Sequence, residues 1–236
     1  MKIKLIDAGN TRLKIAEFHN NQLLKVDFFD NAQDFLATNP TGKFVLASVN
    51  DPDLANMFRE KDLDVVVLEQ PIKTPFLNKY ASPLTLGLDR LANAFYMYIH
   101  ESKGHKLCID IGTCLKFDFL HSNGEYLGGS ISPGLQMRFK ALEHFTARLP
   151  LVQMPKGEEI QLIGDSTVNS ILSGVINGME AEIVATINRY RAEFGNIQLF
   201  LTGGDSSNFD LEQKMSIFAD ENLTLKGICE LYLFNA

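Results

Sequence analysis

No run of about 18 apolar residues, the length that spans a bilayer, occurs in this chain. The apolar stretch ahead of Asp7 is too short for the core of a signal sequence. A membrane protein and a secreted one are thereby set aside, and a cytoplasmic location is expected. The three cysteines, Cys108, Cys114 and Cys229, never fall in CxxC spacing, which excludes a disulfide framework and a thiolate zinc site and leaves buried free thiols. The five histidines form no HExxH pattern, so they offer no recognisable zinc motif. Basic clusters are also missing: 22 Lys and Arg stand against 29 Asp and Glu, a formal charge of −7. A nucleic-acid or polybasic membrane surface is excluded on that balance. An anionic substrate would need a local basic pocket. Two nucleotide motifs are absent as well. No GxxxxGK[ST] occurs, so this is not a P-loop protein, and no GxGxxG opens a helix after a strand.

What is present is a folded chain, 45% hydrophobic over 236 residues, long enough for one or two domains. Residues 2–7, 13–18 and 23–29 read as a strand meander. A helical segment near 31–38, a strand at 43–49, a helix over 52–61 and a strand at 64–68 follow, which is α/β order with a mixed sheet. Apolar residues at Leu88, Leu91, Ala92, Phe95 and Tyr98 predict a helix over 88–101. The pattern then restarts. "HKLCIDIGTCLKFDFL" gives two strands around a bend, "GEYLGGSISPG" a third, and helices follow at 134–145 and about 165–194. The segment "IQLFLTGGDSSNF" is a strand entering a glycine-rich bend ahead of another helix. We read a duplicated unit, divided as 1–104 and 105–236 with no Pro- or Ser-rich linker, whose halves are expected to form a cleft.

Three small-residue bends end strands: Asp7–Thr11 in "LIDAGNT", Asp110–Thr113 in "DIGT", and Thr202–Asp205 in "LTGGD". Each admits a plain reading as a turn, since Gly and Asn tolerate positive φ and Asp and Thr bond locally. The first two also put an aspartate ahead of the glycine, which a turn does not require. That pair suits a phosphate cradle in which one carboxylate addresses Mg²⁺, usually through water, and the other organises a cation or the phosphates. Lys14 is either a phosphate contact or a strand-edge lysine.

The bend Asp7-Ala8-Gly9-Asn10-Thr11-Arg12-Leu13-Lys14, with "GLDR" at 87–90, "DIGT" at 110–113, "GGSISPGLQM" at 128–137 and "LTGGD" at 201–205, resembles the type III pantothenate kinases. These belong to the acetate and sugar kinase, Hsp70 and actin superfamily. The resemblance covers essentially the whole chain with the motifs in the family's order. It implies an α/β fold of duplicated actin-like (ribonuclease H-like) domains, each a mixed five-stranded sheet with flanking helices. It implies phosphorylation of pantothenate by ATP with Mg²⁺, contacts to the nucleotide from Asp7 through Lys14 and from Thr113, and Asp89 as general base. Tyr80, Gly87, Leu88, Asp89, Arg90 and Thr167 would form the substrate site. Asp110 would bind a monovalent cation, K⁺ or NH₄⁺, and the protein would be a homodimer.

Where the family usually has small or hydroxyl residues after "DIGT", this chain has Cys114, Leu115 and Lys116. Lys116 either points away or brings a positive charge to the site. Plain readings also stand beside the implied ones. Asp89 suits a helix start with an Asp–Arg surface pair, Tyr80 a packing residue, Thr167 a helix start, and Cys114 a structural thiol. A non-catalytic nucleotide-binding regulator of the same fold, or a kinase for another small alcohol, is the alternative reading of the whole.

Overall fold

Two asparagines with positive φ, Asn20 at 48° and Asn21 at 64°, turn the chain between β2 (Leu13–His19) and β3 (Gln22–Phe29). This is the two-residue hairpin geometry that matches strand twist, and asparagine tolerates it best after glycine. Together with β1 (Lys2–Ala8) these strands form the expected meander. The computed structural model describes residues 2–9, 12–48, 52–100, 103–155, 158–211 and 215–236, so Asn10 and Thr11 of the first bend lie outside the described residues. It divides into two compact units. One holds residues up to Lys103 with Leu120–Gly128 and Asn222–Ala236; the other holds Gly104–Phe119 and Gly129–Glu221.

In the first unit β4 (Lys43–Ser48) runs parallel to β1, and β5 (Asp64–Val67) parallel to β4. The sheet order is β3-β2-β1-β4-β5. Helix α1 (Ala32–Leu36) starts at Asn31, whose side chain accepts the Asp34 N–H at 2.9 Å, satisfying one of the donors a helix start leaves open. With α2 (Pro52–Arg59) it covers a core of Ile6, Leu13, Ile15, Phe44, Leu46 and Phe58. Phe35 packs edge-on against Phe29, Phe44 and Phe58 there. Two further helices, α3 (Leu88–His100) and α6 (Leu223–Asn235), pack closely. A Cβ at Gly227 would lie 2.2 Å from the Ala92 carbonyl oxygen, so only glycine permits this approach.

In the second unit β7 (His105–Ile111), β8 (Cys114–Leu120) and β9 (Glu125–Pro133) precede α4 (Leu135–His144) and α5 (Thr167–Phe194). Strand β10 (Ile197–Thr202) is parallel to β7 and to β11 (Ile217–Ala219). The five strands expected of this half are joined at the edge by a two-residue strand of the first unit, β6 (Leu77–Asn78), which pairs with the first residues of β9, also assigned to the first unit. The sheet order is β11-β10-β7-β8-β9-β6. Helix α5 has the length and apolarity of a membrane span. Its Ile171, Val175, Ile176, Met179, Ile183 and Ile187 are buried in the unit's core with Leu107, Ile109 and Phe117, so one face of the helix packs on that core while the opposite face is exposed.

Candidate active site

The first-unit candidates gather at the start of α3. Asp89 is half-buried, and its Oδ1 accepts the Arg90 N–H at 2.8 Å. A Cβ on Gly87 would stand 2.5 Å from that same oxygen, so glycine leaves room for the carboxylate. Arg90 is 4% exposed. Its Nη1 donates to the Tyr80 hydroxyl at 3.4 Å, and the guanidinium lies 5.4 Å from the Tyr80 ring centre, a cation–π placement. Tyr80 is held in turn. Its N–H donates to Asn78 Oδ1 at 3.0 Å, its ring tilts against Tyr126, and a Cβ at Gly128 would meet the ring at 3.0 Å. Arg90, Tyr80, Gly87 and Asp89 therefore form one cluster. Leu88 is buried, so its side chain serves packing and only its backbone can face a ligand. Both the helix-start role of Asp89 and its position beside a buried arginine are present at once.

At the Asp7 bend, Asp7 and Lys14 are cross-strand partners, as are Ala8 and Leu13. Asp7, Ala8 and Lys14 are half-buried, and Gly9 and Arg12 exposed. Leu13 belongs to the first unit's core, so its contribution to a ligand site is limited to its backbone.

In the second unit three of the quoted motifs meet. Gly134, which precedes α4, donates its N–H to the Thr113 carbonyl at 3.2 Å, and a Cβ there would lie 2.2 Å from the Gly112 oxygen. Gly203, at φ +98°, would place a Cβ 2.3 Å from the Ile111 oxygen, and the Asp205 N–H donates to that oxygen at 2.9 Å. Thus "DIGT", "SPG" and "GGD" form one tight glycine-lined bend, with Thr113 exposed on it. Burial pushes the Asp205 carboxyl up from its ordinary value. Thr167 is an exposed residue in the first turn of α5, where Ser166 caps the helix by accepting the Asn169 N–H. The structure gives it the helix-start position.

Two charged residues beside the bend, Lys106 and Asp118, lie outside the sequence-based set. Lys106, Cys108 and Asp110 alternate along β7 with core residues Leu107, Ile109 and Ile111, and Lys116 and Asp118 alternate along β8 with Leu115, Phe117 and Phe119. Strand periodicity puts the polar set on the other face, yet Asp118 is 0% exposed and Asp110 6%. Burial, then the charges of Asp118 and Asp110, push the Cys108 thiol well up, while Lys116 opposes them. The period-two pattern was the signal for this charged face; its burial was not visible in sequence.

The family model for type III pantothenate kinase matches residues 4–189. A type III pantothenate kinase of Christiangramia forsetii is 44% identical over 240 residues, 98% of each chain. Among solved structures, a Campylobacter jejuni protein described as a candidate Baf family transcriptional activator is similar at a TM-score of 0.65 and 22% identity, covering 99% of this chain and 98% of that one. A Listeria monocytogenes protein described as a candidate N-acetylmannosamine kinase is similar at 0.53 and 16%, covering 99% of each. These two likenesses carry the fold, an actin-like α/β arrangement. By the family model and by identity over nearly the full length of both chains, this chain belongs to the type III pantothenate kinase family.

Proposed function

We propose that the chain transfers the γ-phosphoryl group of ATP to the primary hydroxyl of pantothenate, giving 4′-phosphopantothenate and ADP, the first step towards coenzyme A. Beside the family match, the observation that carries this reading is the cluster at the start of α3: a half-buried Asp89 next to a buried Arg90 braced on Tyr80. An alcohol attacking a phosphate needs a carboxylate within reach to take its proton, and Asp89 is assigned that role. Arg90 is a planar fork suited to the carboxylate of pantothenate or to the phosphate in transfer. Gly87, Tyr80, the Leu88 backbone and Thr167 complete the proposed substrate site.

The nucleotide is assigned to the bend from Asp7 to Lys14, including Asn10 and Thr11, and to Thr113. A half-buried carboxylate at Asp7 fits Mg²⁺, a hard ion that keeps several waters and takes its remaining ligands from phosphates. When bound, Mg²⁺ neutralises the phosphate charge; the chain's own part is to position Asp7 at the strand end. As repeats, the domains are proposed to be 1–104 and 105–236, although the compact units exchange 120–128 and 222–236. The family pattern assigns a monovalent cation to Asp110; in this chain Lys116 already holds that carboxylate. A cytoplasmic homodimer is proposed, with a mass in solution twice 26.4 kDa. The functional test is a coupled ADP-release assay with ATP, Mg²⁺ and pantothenate. Pantothenate-dependent release is expected, and its absence would overturn the pantothenate assignment, leaving a nucleotide-binding regulator or a kinase for another small alcohol.

A further inference from the structure

Lys116 Nζ lies 2.7 Å from Asp110 Oδ2, with side-chain exposures of 14% and 9%. The distance is that of a charge-assisted hydrogen bond, and water has little access to either group. The two residues stand three positions on either side of Thr113, so the bend itself brings them face to face. Around them the polar face of β7 and β8 carries Lys106, Asp110, Lys116 and Asp118, two positive and two negative charges. A further cation on Asp110 would be a third positive charge, a few ångströms from an ammonium in a poorly hydrated setting. The residues present therefore do not fit a bound monovalent ion at Asp110.

We infer that Lys116 supplies from within the chain the positive charge that the family pattern assigns to a bound K⁺ or NH₄⁺, and that the protein works without that ion. An ε-ammonium is a compact monocation with three donors, in effect a tethered ammonium ion. The tether replaces collection from solution by a permanently high local concentration. The inference rests on the kinase reading, but its central observation, a cation already seated on Asp110, does not.

Two readouts test it on the full-length protein: pantothenate-dependent ADP release, and thermal melting without nucleotide. Each is run in KCl and in tetramethylammonium chloride at equal ionic strength. For the unaltered chain both readouts should agree between the salts, with rates within about twofold. Lys116→Ala should be slower in tetramethylammonium by roughly tenfold or more and recover in KCl, and its melting temperature should rise with KCl, as for any ligand that binds the folded state. Stimulation of the unaltered chain by K⁺ of about tenfold overturns the inference. So does a folded Lys116→Ala indifferent to K⁺ in both readouts. Lys116→Gln, which keeps the chain length and a dipole at Asp110, carries the same readouts where the alanine variant does not fold, and the unaltered chain decides alone where neither does. Absence of ADP release in every salt overturns the kinase reading only, because melting still answers the cation question.

Discussion

Asp89 accepts a hydrogen bond from the Arg90 N–H, as an acidic residue in a helix's first turn commonly does. That bond is what an asparagine can keep. Asp89→Asn should therefore melt within a few degrees of the unaltered chain while its chemical step slows by roughly 10²- to 10⁴-fold, the loss expected for a general base. Lowered melting with near-normal turnover would make Asp89 a structural residue. Arg90→Ala removes a fork that is buried against Tyr80. It should raise KM for pantothenate about tenfold or more, from the roughly 1.5 to 3 kcal/mol of a hydrogen bond to a charged group. A change confined to kcat would contradict a binding role. Asp205 gives a pH-dependent case. Burial raises its folded pKa above the ordinary 3.8, so its stabilising contribution is full below that value and is lost as pH rises through the folded pKa. Above the folded pKa the charged carboxylate weighs against the fold. Asp205→Asn should accordingly melt higher at pH 7, with the gain vanishing in acid; a variant less stable at pH 7 would show that the charge is compensated.

Helix α3 holds the cluster in place through its contact with α6, and a single glycine sets how close the two helices come. In Gly227→Ala the new Cβ would be 2.2 Å from the Ala92 oxygen, so the helices have to part, at a cost of about 1 to 3 kcal/mol for an overpacked contact. A Cβ at Gly178 in α5 would meet nothing within 4 Å beyond its chain neighbours and the backbone of its own helix. Gly178→Ala should instead stabilise by about 1 kcal/mol through helix propensity. Melting curves check both signs, and KM for pantothenate should shift in the Gly227 variant alone. Helix α3 was legible because apolar residues recur at helical spacing, and the opening meander because its strands are short, apolar and bounded by turn residues. Strand β6 was not: two residues, Leu77 and Asn78, carry no period, and only pairing with Glu125 and Tyr126 makes them a strand. The candidate residues Asp89, Arg90 and Tyr80 could be named from sequence, but the burial of Arg90 and the inward turn of Leu13 follow from tertiary packing that local pattern does not record. The same holds for the bend at Asp110. Its glycines were readable as turn formers, yet the meeting of Gly134 and Gly203 on one backbone stretch joins residues far apart in sequence.

At the scale of the molecule the two compact units are tied by the path of the chain, which passes from one to the other four times, after Lys103, Phe119, Gly128 and Glu221. Strands β8 and β9 each contribute residues to both units, so unfolding either one withdraws part of a hairpin from the other. Independent unfolding is then disfavoured, and a single cooperative transition is expected. Two buried thiols report it separately: Cys229 on α6 in the first unit and Cys108 on β7 in the second. Burial pushes Cys229 up to about 12 and Cys108 well above its ordinary value, and a thiol that is both enclosed and protonated reacts slowly. Cys114 is partly exposed and should label in the native protein. In a urea series with a thiol reagent, followed residue by residue by mass spectrometry, Cys108 and Cys229 should become reactive over the same range of denaturant. Native protection should be about 10³-fold or more, in keeping with ordinary domain stability. Labelling of Cys108 well before Cys229, or the reverse, would mean that one unit opens while the other stays folded, and that the four crossings do not couple them.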